Sequence, residues 1–260
     1  MRTFLILLAV MLLLPTFVSC GNHPPDSTAY VPILMYHNFT ADDESGSSFT
    51  VTISRFDEHL TALENAGYRT VTFADLIDYV YYGGELPERP VLLTSDDGYT
   101  GVPDLAAPCA ARHGMTLSCA VIGALAGVNG HFSFDIPIPE NVEIVSHTFA
   151  LHDWNGSMGM IGSGFHGYER LLTEDIGTMR EVCGERFPLT SSVLIYPHGS
   201  YSAESERILH TQGYSVTVTC DHGVAVIRRG EPGSLYLLPR ISVWRDTTAE
   251  ELMELIAKSE

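Results

Sequence analysis

The chain alternates short apolar runs with amphipathic stretches along most of its length. Runs such as PVLLTS, VEIVS and SVTVT are short and rich in β-branched residues, which predicts buried strands. Between them, apolar residues recur at three- and four-residue spacing, as in AESERILHTQ and AEELMELIAK, which predicts helices. Repeated strand–helix units are typical of a parallel sheet. Their number, seven or eight, favours an α/β fold closed into a (β/α) barrel over an open sheet.

The first predicted helix shows how its boundaries follow from the sequence. Ser54 is expected to cap it, its apolar residues Phe56, Leu60 and Leu63 recur at helical spacing, and Gly67 is expected to end it. Further helices are predicted over residues 104–113 and 168–185. A short strand is predicted at RTVTF, and a longer one at LYLLPRISV.

The N-terminal residues have the pattern of an export signal. Arg2 precedes an uncharged apolar run over residues 4–14, which is too short to span a bilayer comfortably. The following TFVSCG resembles the lipobox of bacterial lipoproteins, in which Cys20 would be lipidated; an ordinary secretory signal cut nearby is the alternative. We therefore expect residues 1–19 to be a signal peptide, and residues 20–29 a polar tether. The protein is expected to be exported and anchored in the cell membrane, facing the periplasm or the exterior.

The remaining residues, 30–260, contain no second linker or repeat and fit one large α/β domain. The chain has 32 acidic and 14 basic residues, a formal net charge of -18. This charge argues against nucleic acid or an anionic lipid surface as a partner, whereas a neutral or amino-bearing polymer is compatible with it.

Four cysteines follow Cys20, and their spacing contains no CxxC motif, so a zinc–thiolate site is not expected. An exported protein could pair them in three ways. Cys119 and Cys220, however, lie in apolar strand-like runs, where a free buried thiol is the commoner state. We expect no essential disulfide among the four, which are Cys109, Cys119, Cys183 and Cys220.

Polar residues gather where predicted strands end. Asp96 and Asp97 follow VLLTS, and neighbouring carboxylates repel one another unless a positive group lies beside them. A bare DDG is more often a polar turn. His147 and His152 follow VEIVS, and two histidines with one carboxylate form a common zinc-binding set. Their five-residue step does not stack on a regular helix, so they would have to converge from a loop.

The motifs PILMYH, TSDDGY, SHTFALH, YPHGSY and LPRI occur in the order found in the polysaccharide deacetylases of carbohydrate esterase family 4. The chain resembles this NodB-type family, and within it the poly-N-acetylglucosamine deacetylase branch. The resemblance implies a distorted (β/α) barrel and metal-dependent removal of acetyl groups from N-acetylated sugars of a polysaccharide. By matching motifs, Asp96 would be the general base, and Asp97, His147 and His152 would bind one divalent metal. Zinc is favoured by the nitrogen-rich ligands, with cobalt, nickel or iron as alternatives.

The chain departs from the family pattern at four points. Ser95 replaces the usual phenylalanine before the aspartates, a change expected to affect packing only. Ile195 stands where many relatives carry an arginine that orients the base, and Arg240 could reach the site from the last strand instead. His198 replaces a tyrosine whose backbone N–H helps to hold the oxyanion. The late leucine–histidine motif that supplies a general acid is missing, and His37 would fill this role, as in the poly-N-acetylglucosamine branch.

Other candidates have plainer interpretations. His59 and His210 fall in helical patterns and are expected to be surface or packing residues. Asp221 and His222, in CDHG, are the best rivals for site roles. Trp154 and Trp244 could stack on a sugar ring or pack at a barrel rim.

Two alternative functions remain open from the sequence. The same barrel could hydrolyse another substrate, such as a peptidoglycan sugar, an acetyl ester or a non-sugar amide. It could also bind glycans without catalysis, although a binding protein does not need a base beside a metal.

Overall fold

A computed structural model describes residues 27–41, 47–128, 130–133, 135–154, 157–158, 167–184 and 189–259. The predicted signal peptide, Cys20 and most of the predicted tether lie outside these residues. Within the described part of the chain, no helix combines the length and apolar character needed to cross a membrane.

The described residues form short strands and helices in alternation. The strands are β1 (Thr28–Val31), β2 (Ile33–Tyr36), β3 (Asn38–Thr40), β4 (Thr50–Thr52), β5 (Arg69–Thr70), β6 (Pro90–Ser95), β7 (Leu117–Val121), β8 (Val142–Ser146), β9 (Asp153–Trp154), β10 (Ser157–Met158), β11 (Leu189–Ile195), β12 (Val216–His222), β13 (Ala225–Arg228) and β14 (Leu238–Ser242). The helices are α1 (Ile53–Asn65), α2 (Phe73–Ile77), α3 (Ala107–Arg112), α4 (Tyr168–Thr178), α5 (Ala203–Thr211) and α6 (Ala249–Ser259). Wider helical turns extend α2 over Asp78–Tyr82, precede α3 over Val102–Ala106 and extend α4 over Met179–Cys183.

Seven strands close into a parallel barrel in the order β2, β14, β12, β11, β8, β7 and β6. Closure is made by β6 and β2, which pair in parallel from Ile33 with Leu92 to Tyr36 with Ser95. The two-residue β5, shorter than the predicted strand, pairs with the start of β6. The barrel predicted from the alternating pattern is confirmed.

The antiparallel pair β1 and β13 lies outside the barrel sheet. Thr28 pairs with Arg228 and Ala29 with Ile227. Thr28 and Ala29, the last two residues of the predicted tether, are therefore part of the folded domain. Their pairing partners in β13 are about 200 residues later in the chain, so the local sequence did not indicate this strand.

The amino end of the barrel is closed by α2. Phe73 and Leu76 are fully buried and pack with the side chains that fill the barrel interior. Glu143, from β8, accepts hydrogen bonds from the backbone N–H groups of Phe73 at 2.9 Å and Ala74 at 3.0 Å. Because these N–H groups belong to the first turn of α2, they have no partner within the helix. Burial raises the pKa of Glu143, although these hydrogen bonds oppose the rise.

The outer face of the barrel is covered by helices that include α1, α3 and α6, which share one apolar cluster. The prediction that Ser54 caps α1 is wrong. The side chain of Thr52 accepts from the backbone N–H of Arg55 at 3.2 Å, whereas Ser54 is already in the first turn and its hydroxyl bonds to that of Thr52. Gly67 follows the helix with φ of 82°, a conformation that glycine adopts without strain.

His59 is a packing residue of α1. Its side chain is fully buried, with Nε2 2.8 Å from the carbonyl oxygen of Thr247 and Nδ1 3.2 Å from the hydroxyl of Tyr36. Both ring nitrogens therefore have partners within the protein. The packing interpretation of its helical position agrees with this geometry.

Candidate active site

The two aspartates at the end of β6 point in different directions because the backbone turns sharply between them. All six residues of β6 are buried, and Asp96 continues the strand's hydrogen bonding through its N–H to the carbonyl oxygen of Tyr36. Asp97 has φ of 73°, in the left-handed region that aspartate tolerates better than most residues. Gly98 follows with φ of 80°. The turn separates the two carboxylates and lets each take different partners.

Asp97 faces two histidines. Its Oδ1 lies 3.2 Å from Nε2 of His152 and 3.5 Å from Nε2 of His147. The three side chains bring one ligand atom each within 4.8 Å of the others. His147 donates from Nδ1 to the carbonyl oxygen of Ile195 at 2.8 Å, which leaves its Nε2 lone pair facing the carboxylate. An acceptor on the far nitrogen is the usual support of a metal-binding histidine. This donor set fits a divalent metal.

The electrostatics of this group agree with a cationic ligand. Burial would raise the pKa of Asp97, but the hydrogen bond from His152 and the charges of His147 and His37 lower it well below its ordinary value. Burial lowers the pKa of His147, although the charges of Asp96 and Asp97 oppose this. A neutral imidazole beside an ionised carboxylate is the protonation state that metal binding requires.

The two histidines converge from an irregular loop. Thr148 has φ of 69°, and its hydroxyl accepts the backbone N–H of Leu151 at 3.1 Å. The carboxylate of Asp175, on α4, accepts the N–H groups of Phe149 at 2.9 Å and Ala150 at 2.8 Å. The loop between the two histidines is therefore stabilised by a hydrogen bond within the loop, to Thr148, and by hydrogen bonds to Asp175 of α4.

Asp175 was not among the residues singled out by sequence. It is 8 % exposed and lies on the buried stripe of α4 between Leu172 and Ile176. A carboxylate at a core-facing helical position requires a partner, because an unpaired buried charge is costly. An acidic residue within the apolar stripe of α4 is the feature of the sequence that could have indicated a role for Asp175.

Arg240 reaches the other aspartate. Its Nη1 and Nη2 each lie 2.8 Å from an oxygen of Asp96, and its Nε donates to the carbonyl oxygen of Thr219 at 2.8 Å. Burial would raise the pKa of Asp96, but the charge and hydrogen bonds of Arg240, with smaller contributions from His147 and His37, lower it. Asp96 is therefore ionised near neutral pH.

No protein-family model matches the chain. YxkH of Bacillus subtilis (strain 168), provisionally named a polysaccharide deacetylase, is 26 % identical over 221 residues, which cover 84 % of this chain and 73 % of that protein. A de-N-acetylase from Aggregatibacter actinomycetemcomitans superposes with a TM-score of 0.75 at 18 % identity, covering 88 % of this chain and all of the other. IcaB from Ammonifex degensii gives a TM-score of 0.72 at 24 % identity, covering 87 % and 96 % of the two chains.

The fold is that of the NodB-type polysaccharide deacetylases. These comparisons confirm both the resemblance inferred from the motifs and the barrel that it implied. The names of YxkH and of the Aggregatibacter protein both describe deacetylases, which are hydrolases.

In this barrel the predicted site residues other than Arg240 surround one cavity of about 660 Å³ at the carboxyl end of the strands. This is where parallel barrels gather their chemistry. Phe49, Tyr99 and Trp244 form an aromatic part of its wall, with the rings of Phe49 and Trp244 4.9 Å apart. Trp154 is in β9, and its side chain lies outside the described residues. The predicted site residues that line the cavity are His37, Asp96, Asp97, His147, His152 and His198.

His37 lines the same cavity, just beyond the end of β2. Its ring packs 4.7 Å from that of Phe49, and its buried Nδ1 has no hydrogen-bond partner among the described residues. Ser95, which precedes the aspartates, donates its hydroxyl to the carbonyl oxygen of His37 at 2.5 Å and ties the two strand ends together.

His198 also lines the cavity, next to His152. Its ring centroid is 4.5 Å from that of His152, and its backbone has φ of 55°. Gly199, next to it, packs so tightly that a Cβ would come within 2.8 Å of Cys220. The YPHG segment is thus held in a strained turn beside the cavity.

The rival residues Asp221 and His222 are exposed and do not line the cavity. Asp221 accepts a hydrogen bond from Tyr201 at 3.4 Å, and His222 is 3.2 Å from the hydroxyl of Ser259. His210 lies 3.4 Å from Glu206 on the same helix and packs on Tyr236. These contacts are those of surface and packing residues.

Proposed function

We propose that the chain is a metal-dependent hydrolase that removes acetyl groups from N-acetylated sugars of a polysaccharide. The observation that carries this proposal is the division of two adjacent aspartates between different partners around one cavity. Asp96 is paired with Arg240, and Asp97 is grouped with His147 and His152. A carboxylate held ionised beside a metal-binding group is the arrangement required to activate water for amide hydrolysis.

A divalent ion held by Asp97, His147 and His152 would polarise the acetyl carbonyl and lower the pKa of a nearby water. Zinc is the favoured ion because two of the three ligands are imidazole nitrogens. Asp96 then acts as the general base, since Arg240 keeps its carboxylate ionised and fixes its orientation.

The remaining steps are removal of a proton from water, stabilisation of the oxyanion and protonation of the leaving nitrogen. Water oxygen forms a bond to the acetyl carbon while Asp96 receives the water proton. The backbone N–H of His198 would donate to the oxyanion that develops on the carbonyl oxygen. Protonated His37 delivers a proton to the amine nitrogen as the C–N bond breaks, giving acetate and a free amino sugar.

The location of the enzyme forms part of the same proposal. Export through the N-terminal signal and lipid attachment at Cys20 would place the barrel at the membrane surface, where polysaccharide substrates are available. The support for this is the pattern of residues 1–20.

Acetate release from separate polymers tests the activity and its substrate class. Wild-type protein and Asp96→Asn are incubated with chitin oligomers, peptidoglycan and acetylated xylan, and acetate is measured. Release from an N-acetylated glycan by the wild type alone supports the proposal. Release from xylan alone would assign the site to ester hydrolysis. Binding of glycans without acetate release would assign it to a binding protein.

A further inference from the structure

A second group of metal-ligating side chains lies outside the barrel, between α1 and α3. Asp57, Cys109 and His113 bring one ligand atom each within 4.8 Å of the others. Asp57 Oδ1 is 3.3 Å from Cys109 Sγ and 3.1 Å from His113 Nε2. Ligand atoms around a zinc ion with bonds of about 2.0–2.3 Å are separated by distances of this size.

His113 is oriented as metal-binding histidines usually are. Its Nδ1 lies 3.0 Å from the carboxylate of Glu64, while its Nε2 faces Asp57. A carboxylate on the far nitrogen fixes the ring and raises its basicity as a ligand. His147, in the candidate active site, is supported in the same way by the carbonyl oxygen of Ile195.

The position of the group suits an ion that enters from solvent and then joins two helices. Cys109 is fully buried, the His113 side chain is 13 % exposed and the Asp57 side chain is 44 % exposed. Cys109 and His113 are four residues apart, about one helical turn, and Asp57 is on the neighbouring helix. The absence of CxxC made a thiolate site unexpected, because a motif search does not join ligands from two separate helices.

A cationic side chain already contacts this group. Arg112 Nη2 lies 2.9 Å from Asp57 Oδ1 and 3.3 Å from Cys109 Sγ. Its side chain is 62 % exposed, so it can leave the group without disturbing the core. The guanidinium and a metal ion would therefore compete for the same two ligands.

We propose that Asp57, Cys109 and His113 bind a divalent transition metal, with zinc preferred, in place of Arg112. Binding releases the protons of the Cys109 thiol and His113 Nε2 to solvent, and thiolate and Asp57 together balance the charge of the ion. Sulfur, nitrogen and oxygen ligands in one set favour zinc or cobalt over magnesium or calcium. The bound ion joins α1 to α3, and the site is separate from the proposed deacetylase chemistry.

Cobalt substitution tests this site specifically, because Asp97, His147 and His152 include no thiolate. Full-length protein loaded with Co²⁺ should show a thiolate-to-cobalt charge-transfer band in the near ultraviolet. Cys109→Ser should lose this band and bind one ion fewer per chain, while acetate release stays unchanged. In His152→Ala the band should persist, which separates the two sites.

Arg112→Ala distinguishes a metal site from a group of side chains held together by ion pairs alone. Removal of the competing guanidinium should tighten Co²⁺ and Zn²⁺ binding at this site several-fold, whereas loss of an ion pair alone would leave metal affinity unchanged. Glu58→Gln, a neighbouring exposed acid of α1 paired with Arg55, serves as the control and should change nothing. A missing band in both wild type and Arg112→Ala, or a band that persists in Cys109→Ser, would overturn the proposal.

Discussion

Arg240 and Asp96 form a bidentate ion pair at the barrel mouth, with both N–H···O distances at 2.8 Å and both side chains almost wholly buried. They come from opposite sides of β2, because β14 and β6 each pair with that strand. The resemblance to the deacetylase family implies that Ile195 stands where many of its members carry an arginine that orients the base. The pair with Arg240 gives the carboxylate an equivalent partner from another strand.

Replacement of Arg240 should change both pH dependence and stability. Burial raises the pKa of Asp96 and Arg240 is the largest opposing influence, so in Arg240→Gln the pKa of Asp96 should rise. The acidic limb of the kcat/KM profile should then move to higher pH, because a base must be ionised to act. An uncompensated buried carboxylate should also cost about 3–5 kcal/mol of stability, measured by urea denaturation near neutral pH.

The exposed Arg207, which pairs with Glu169, supplies the matched control for Arg240. Arg207→Gln should leave both the pH profile and the urea midpoint essentially unchanged. An acidic limb that does not move in Arg240→Gln would mean that Asp96 is not the group that titrates in the reaction.

The two adjacent aspartates should differ in metal content. Asp96→Asn keeps the shape of the side chain and removes the base, so turnover should fall by about 10²- to 10⁴-fold while the metal is retained. Asp97→Asn should lose metal as well as turnover, since its carboxylate is grouped with both histidines. Elemental analysis of the purified variants provides the comparison, and equal metal content in the two would contradict the proposed roles.

His37→Ala should lose turnover selectively. An amine is a poor leaving group unless it is protonated, so hydrolysis of N-acetyl substrates should fall about 10²-fold or more. An activated aryl acetate ester needs no such proton, and its hydrolysis should fall much less. Equal losses on the two substrates, with metal content unchanged, would assign His37 a structural role.

Asp175→Asn should weaken metal binding from a distance. The amide retains one acceptor oxygen, so only one of the N–H groups of Phe149 and Ala150 keeps its partner. We expect metal affinity to fall by about 10- to 100-fold, with activity recovering at high zinc concentration. Glu174→Gln changes the exposed neighbouring carboxylate and should be neutral; if Asp175→Asn binds zinc as the wild type does, Asp175 does not position the loop.

Local patterns in the sequence carried much of the architecture. The strand preceding Asp96 and the strand preceding His147 were both visible as apolar runs, and parallel strands present their carboxyl ends at one face. The convergence of the site residues therefore followed from strand order and barrel closure. The resemblance to the deacetylase motifs suggested the role of each site residue, which the spacing of the residues does not indicate.

The supports of the site were not predictable in the same way. Asp175 reaches a loop about 25 residues earlier in the chain, and Glu143 reaches α2 about 70 residues earlier. Each contact depends on how helices pack against the finished barrel, which local periodicity does not encode. The error at the start of α1 has a related origin, since Thr52 and Ser54 are both plausible caps until the backbone direction is known.

The closure of the amino end by α2 and Glu143 has a consequence for the order in which products leave. Because the barrel interior is packed at its amino end, acetate formed in the cavity would not leave through the barrel. In the proposed deacetylation, acetate would therefore leave through the same opening that the polymer covers, and only after the sugar has moved away from it. Release of the polymer would then limit the rate of acetate release. Added acetate would inhibit the reaction by binding in the inner part of the cavity.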